Sequence, residues 1–351
     1  MVFGKKKSIV GLDIGSRSIK AGIISESKKG FSLTKFGVVE LSPGLIEDGN
    51  IVEPVQVANA IRDLFKAYNI KEQNVAVSVG GYSVIVKKIN VQTMSEAQLQ
   101  ETIHFEAEQY IPFDISDVNI DFQILGEVEG NPNQMNVILV AAKKEMINNY
   151  INLIQLANLN PCIIDIDAFA LQNIYEANYD SEGENVALID IGAGKTSLNI
   201  LKDNISVFMR DVSLGCGQIN QEIASLIDCS LEDAEKIKLD NPGDKISHEH
   251  LEEIVSSVIS DWCNEIRRAL DFFYSTYPDD QIKKIILSGG GANIKEFRQL
   301  LAEETFTEVE AINPFNQIEI AIDQVETSNL KAMAPQAAIC MGLALRKVDD
   351  K

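Results

Sequence analysis

Cysteine is scarce in this 351-residue sequence: Cys162, Cys216, Cys229, Cys263 and Cys340 are the only five. No two form a Cys-x-x-Cys pair, which excludes the common zinc and dithiol motifs, and the odd, scattered set points to a reducing compartment. We read all five as buried thiols that pack as small hydrophobes. Histidine is rarer still. His104, His248 and His250 fall in helical or loop contexts and are read as surface or packing residues, so neither a Ser-His-Asp triad nor a histidine-based metal hydrolase is supported. Positive charge is also in deficit, with 31 Lys and Arg against 52 Asp and Glu and a net charge of −21. That balance disfavours nonspecific attachment to DNA or to anionic lipid, both polyanions. The short run Lys5-Lys6-Lys7 reads as a solvated terminus, since one such run binds a membrane weakly at best. No apolar run approaches the ~20 residues of a membrane span, and no signal-peptide core precedes the first strand.

What is present is an alternation of strands and helices. Residues 8–14, 20–25 and 31–40 read as strands around tight polar turns. Val57, Ala60, Ile61, Leu64 and Phe65 recur at helical spacing over 54–68. Residues 74–79 return as a strand and stop at Gly80-Gly81. Ser95 opens a helix with Gln98 completing a capping box, and Pro112 closes it. Strands are expected at 118–125 and 136–142, a helix at 145–156 and a short strand at 162–166. No Ser/Pro-rich linker divides these pieces, so the domains should interleave. Later, Leu251, Val255, Val258, Trp262, Ile266, Leu270 and Phe273 form a long helical stripe after Ser247.

Glycine is concentrated in three places. The strand 186–191 ends in Asp190-Ile191-Gly192-Ala193-Gly194-Lys195-Thr196 and is followed by strands 197–202 and 205–210. The strand 8–14 ends in Asp13-Ile14-Gly15-Ser16-Arg17-Ser18. The two turns stand about half a chain length apart, and a duplication of that size means two related lobes rather than a short-period solenoid. Glycine lets the backbone approach a ligand without a Cβ in the way, and the amides that follow can form an anion-binding nest. Ser16, Ser18 and Thr196 add hydroxyl donors. Two aspartates facing phosphates need a cation between them, which makes Asp13 and Asp190 the candidate outer-shell Mg²⁺ ligands. Lys20, on the strand after the first turn, can reach back to phosphate as a point charge. Gly194-Lys195-Thr196 is not a P-loop: Ile189 stands where that motif needs glycine, and a strand follows. The Rossmann fingerprint fails as well, because Ser197 occupies the third glycine position. The third cluster, Ser288-Gly289-Gly290-Gly291, follows the apolar strand 284–288 and opens a helix. Three glycines in a row suit the close approach of a flat nucleoside.

Taken in order, Asp13-Ile14-Gly15, Asp190-Ile191-Gly192-Ala193-Gly194-Lys195-Thr196 and Ser288-Gly289-Gly290-Gly291 resemble the phosphate-one, phosphate-two and adenosine motifs of the actin superfamily. Within it, Phe3-Gly4-Lys5-Lys6-Lys7 and Glu106-Ala107-Glu108-Gln109-Tyr110-Ile111-Pro112-Phe113 resemble the branch of type IV pilus assembly proteins related to FtsA. The resemblance covers nearly the whole chain. It implies an α/β, ribonuclease-H-like two-lobe fold closing on ATP and Mg²⁺. The first lobe would take residues 1–82, 161–185 and 326–351, with an insert at 83–160. The second would take 186–216 and 284–325, with a helical insert at 217–283. Asp167-Ala168-Phe169-Ala170 and the helix 335–345, with Ala338, Gly342 and Ala344, resemble the two connecting helices.

The resemblance also assigns Gly15, Ser16, Arg17, Ser18, Lys20, Gly192, Ala193, Gly194, Lys195, Thr196, Gly289, Gly290 and Gly291 to the nucleotide. It carries the ribose and base contacts to Glu235 and Lys238. Where relatives position the attacking water with Glu or Gln, this chain has Asp165 and Asp167, one methylene shorter, so hydrolysis should be slow and ATP should act as a clamp. The implied partner is the cytoplasmic tail of a PilN-like inner-membrane protein, with pilus assembly ATPases further along. It would dock on the edges of strands 84–91 and 118–125, beside Tyr110-Ile111-Pro112-Phe113, and hold the chain at the inner face of the cytoplasmic membrane. An FtsA-like filament former and a small-molecule kinase are the alternatives; no terminal amphipathic helix and no substrate signature support either.

Overall fold

The computed structural model describes residues 9–47, 49–180, 183–239, 245–322 and 327–348. The Phe3–Lys7 stretch and residues 349–351 lie outside them. The chain begins with an antiparallel meander, β1 (Val10–Ile14), β2 (Ser18–Ser27) and β3 (Gly30–Glu40), then a short ladder of β4 (Ile46–Glu47) and β5 (Asn50–Ile51). Helix α1 (Pro54–Ala67) starts with proline at its first turn, where the missing N–H costs nothing, and leads to β6 (Asn74–Val79). A separate group follows: β7 (Val84–Gln92), α2 (Glu96–Ala107), β8 (Val118–Val128) and β9 (Asn131–Lys143). Then come α3 (Lys144–Leu156), β10 (Asn160–Ile166) and α4 (Asp167–Asn178).

The second half repeats the plan with a meander of β11 (Val186–Ile191), β12 (Thr196–Lys202) and β13 (Ile205–Val212). Three helices intervene, α5 (Gly217–Ile227), α6 (Leu231–Leu239) and α7 (His248–Thr276). The chain finishes with β14 (Lys284–Ser288), α8 (Lys295–Thr305), β15 (Glu308–Ala311), β16 (Ile318–Ile320) and α9 (Thr327–Ala344).

The strand orders are β10-β6-β1-β2-β3-β16 in one sheet and β13-β12-β11-β14-β15 in the other. Each is an antiparallel triplet extended by two parallel strands beside its first member. The repeat expected from the two Asp-Ile-Gly turns is therefore a repeat of topology, and the fold is the actin-like α/β pair of lobes. Strand β16 returns from the second half to pair in parallel with β3 at the edge of the first sheet.

Helices α4 and α9 lie between the sheets. One apolar cluster unites Leu33 and Ala76 of the first sheet, Leu188 and Ile286 of the second, and Ala170, Ile174, Ala337 and Met341 of the two helices. Glycine makes this packing possible at two points. A methyl group on Gly342 would fall 1.7 Å from the Ala170 carbonyl oxygen, and one on Gly11 would fall 2.2 Å from that of Cys340. The third sheet, β7-β9-β8, carries α2 on one face through Leu99, Ile103 and Ala107. Within the expected insert 83–160, α3 packs instead on the first sheet, through Met146, Tyr150, Leu153 and Ile154.

Two expectations are revised. Only Cys263 and Cys340 are buried; Cys216 and Cys229 are intermediate and Cys162 is exposed. Cys162 lies on the edge strand β10 at a register shift between Pro161 and Ile163, which turns it outward. The last helix begins at Thr327 rather than at Pro335, which sits inside it. Carbonyls near the proline find outside partners: Gly289 N donates to Pro335 O at 3.0 Å, and Asn293 Nδ2 to Ala332 O at 3.3 Å. The capping box at Ser95 and Gln98 forms as expected, and all three histidines are exposed.

Candidate nucleotide cleft

The two Asp-Ile-Gly turns are built alike. Gly15 N donates to Ser18 O at 3.1 Å, and Gly192 N donates to Lys195 O at 2.9 Å. Both follow a strand whose aspartate faces its partner strand, with Asp13 opposite Lys20 and Asp190 opposite Ser197. They also face each other, since a methyl group on Gly194 would lie 3.9 Å from Ser16 Oγ. The second turn is held from behind. Cys216 N donates to Gly192 O at 2.9 Å and Gly217 N to Ala193 O at 2.8 Å. Gly215 admits this approach, because a Cβ there would meet Ala193 O at 2.5 Å.

Side chains in the cleft are paired rather than loose. Lys20 Nζ lies 2.9 Å from Asp13 Oδ2 and is almost wholly buried. Burial works against its charge, but Asp13 more than offsets that and holds Lys20 above its ordinary range. Ser288 Oγ donates to Asp190 Oδ1 at 2.6 Å, in a register that sets the two residues side by side on β11 and β14. Burial, opposed by Ser288 and aided by the charges of Asp13 and Asp167, pushes the Asp190 carboxyl up to about 6. These couplings put Asp13, Asp167, Asp190 and Lys195 around one space.

Lys195 Nζ lies 2.6 Å from Asp167 Oδ2. Burial would raise Asp167, yet Lys195 and then the Ser78 hydroxyl bring it below its usual range. Asp165 is directed elsewhere: its Oδ2 accepts from Arg346 at 2.6 Å, and its Oδ1 from the Ile166 amide at 2.8 Å. Thr196 donates to Leu214 O at 2.8 Å, so its hydroxyl proton is spent within the lobe.

On the adenosine side, Gly289 takes a positive φ of 79° and abuts Ile191 O, and Gly291 abuts the Ile191 side chain. Glu235 on α6 accepts from Lys238 Nζ at 3.0 Å and from Asn220 Nδ2. Burial raises Glu235, but Lys238, Asn220 and also Arg17 of the first turn outweigh it. The first turn and α6 thus border the same cleft. Asn220 Oδ1 is buried without a partner among the described residues. An orphaned acceptor beside Glu235 and Lys238 fits a ligand with hydroxyl or amino donors. No group of three or more His, Cys, Asp or Glu among the described residues could hold a metal. A cation here would have to share Asp13 and Asp190 with phosphate oxygens and water.

Sequence reasoning did not assign Ser78, Asp211 or Asn220 to the site, and it placed Ser288 in the adenosine motif without giving it a partner. Asp211 accepts from the Gly81 amide at 2.6 Å across 130 positions, and no local signal marks such a pairing.

Comparison with known proteins gives a consistent set. The family described as type IV pilus assembly protein PilM matches residues 11–348. A solved PilM-PilN type IV pilus biogenesis complex matches with a TM-score of 0.86 and 26% identity, covering 99% of this chain and 100% of that one. The ethanolamine utilization protein EutJ from Carboxydothermus hydrogenoformans matches with a TM-score of 0.58 and 14% identity, over 96% of this chain and 89% of that one. MreB 5 of Spiroplasma citri, solved bound to AMPPNP, matches with a TM-score of 0.53 and 12% identity, over 96% and 95%. The cell division protein FtsA of Bacillus subtilis (strain 168) is 24% identical over 259 residues, which span 65% of this chain and 57% of that protein. At these lower identities the likeness shows the fold alone.

Proposed function

The chain belongs to the family of the type IV pilus assembly protein PilM, and on that premise we propose that it is an ATP-bound, actin-like adaptor that docks the cytoplasmic tail of a PilN-like inner-membrane protein. The observation that carries this reading is the match to the PilM-PilN complex over 99% of the chain. The cleft supports the nucleotide part. Facing turns at Gly15 and Gly192 offer amides to phosphate, Lys20 supplies positive charge, and the Gly289–Gly291 run leaves room for a flat base. Asp13 and Asp190 would hold Mg²⁺, which screens their charge from the phosphates. Glu235 and Lys238 would meet the ribose and base.

The partner part is supported by the third sheet. Its order β7-β9-β8 leaves β7 and β8 as its two edge strands, and an edge can accept an added peptide strand. Ile120, Phe122 and Ile124 stand half-buried along β8. Tyr110 and Phe113 belong to the same cluster, with Lys143 Nζ 4.4 Å from the Phe113 ring centre.

Titration calorimetry tests the partner part and thermal unfolding the nucleotide part. A peptide of the inner-membrane partner's N-terminal tail is expected to bind with micromolar or better affinity. Mg²⁺ and ATP at a hundredfold excess over Kd should stabilise the fold by about 2.7 kcal/mol, a shift that Asp13→Ala and Asp190→Ala should each largely remove. A shift of equal size in all three proteins removes the site assignment, and absence of peptide binding removes the adaptor.

A further inference from the structure

Lys195 stands at the end of the second turn, on the second sheet, whereas Asp167 opens α4 where β10 leaves the first sheet. Their ion pair therefore spans the cleft, at 2.6 Å. It is roofed by backbone: a methyl group on Gly80 would lie 2.3 Å from Lys195 Nζ and 2.5 Å from Asp167 Oδ2. A side chain at position 80 would displace one or both of the paired groups. Beside it the Gly81 amide, just after β6, donates to Asp211 Oδ2 on β13 at 2.6 Å, a second link between the two lobes. The side chains of Lys195 and Asp167 remain 28% and 18% exposed, so the pair faces the cleft rather than the core.

Hydrolysis of a nucleoside triphosphate needs a group that accepts a hydrogen bond from the attacking water and holds it in line. The water oxygen then bonds to the terminal phosphorus. The bond to the bridging oxygen breaks, its electron pair leaves on the diphosphate, and the proton of water ends on the phosphate product. Of the two carboxylates at the β10–α4 junction, Asp167 faces the cleft and Asp165 is turned to Arg346, while Asp13 and Asp190 are assigned to the cation.

We propose that Lys195 is a built-in brake on hydrolysis, a positioning residue that holds the Asp167 carboxylate in an ion pair and so keeps it from orienting water at the terminal phosphate. This rests on the nucleotide reading above. The physical basis is competition. A carboxylate oxygen already bound to an ammonium is a weaker acceptor and is turned towards that ammonium. The same chain thus keeps a nucleotide as a clamp between its lobes.

Single-turnover hydrolysis at saturating ATP and Mg²⁺ tests this with two independent variants. Lys195→Met removes the cation. Gly80→Ala leaves both charged groups intact and sets a methyl against both of them, so that the pair has to move. Each is expected to raise the rate by roughly 100-fold, the lower end of what a single acid–base group contributes, and Lys195→Met combined with Asp167→Asn should lose the gain. A readout apart from activity is amide hydrogen exchange at Gly81 in the nucleotide-free protein, which should quicken in both variants as the lobes part. Unchanged or slower hydrolysis in both variants, with the nucleotide-dependent thermal shift retained, overturns the proposal and makes Lys195 a phosphate ligand. If the wild-type protein shows no such shift, the nucleotide reading itself fails and the brake falls with it.

Discussion

Two carboxylates stand close together where β10 passes into α4. Asp167 looks into the cleft and meets Lys195. Asp165 is 7% exposed and meets Arg346, just past the end of α9. Burial outweighs the arginine and holds the Asp165 carboxyl above its usual range. A group raised in this way adds stability in full below its unfolded-state value, and loses that contribution as pH rises through its folded-state value. Removing Arg346 takes away the charge that opposes burial, so the loss deepens towards neutral pH. Arg346→Met is expected to destabilise the fold by about 3–5 kcal/mol near pH 8, the usual penalty for orphaning one member of a buried pair. The deficit should shrink at lower pH, because protonation relieves a buried carboxylate that has lost its cation. Urea melts across that range decide it, and equal deficits throughout would mean that Arg346 acts only through packing.

Among the elements, the crossing of α4 and α9 bears most on the cleft, because each helix touches both sheets. Their closest approach is a backbone contact at Gly342 against Ala170 O. Gly342→Ala would gain about 1 kcal/mol in helix propensity, yet its methyl has nowhere to go. Overpacking of about 1–3 kcal/mol should win, so net destabilisation is expected by chemical denaturation. A variant as stable as wild type would show that the crossing is looser than described. The insert depends on local features instead. Its helix α2 carries a complete capping box at Ser95 and Gln98, and its sheet packs on α2 through its own apolar cluster.

For the whole molecule, charge and topology decide how it reaches its partner. The sequence carries a net charge of −21, and no helix among the described residues is long and apolar enough to cross a membrane. A strongly acidic protein is repelled by anionic lipid. Co-sedimentation with phosphatidylglycerol vesicles should therefore show little binding, whereas vesicles bearing the partner's cytoplasmic tail should retain it. Strong binding to bare anionic vesicles would replace partner recruitment with direct lipid contact.

The features read correctly from sequence are those whose forces are local. The Asp-Ile-Gly turns close through bonds within a few residues, the capping box joins Ser95 to Gln98, and the stripe from Leu251 to Phe273 reflects helical periodicity. Their repetition half a chain apart already implied two related lobes. Tertiary structure alone decided which side chains meet. Lys195 joins Asp167 across 28 positions, Ser288 joins Asp190 across 98, Gly81 joins Asp211 across 130 and Arg346 joins Asp165 across 181. Each depends on how sheets and crossing helices stack, and short-range sterics do not encode that. The outward turn of Cys162 has the same origin, because a strand's apolar content says nothing about whether it ends at a sheet's edge or its centre.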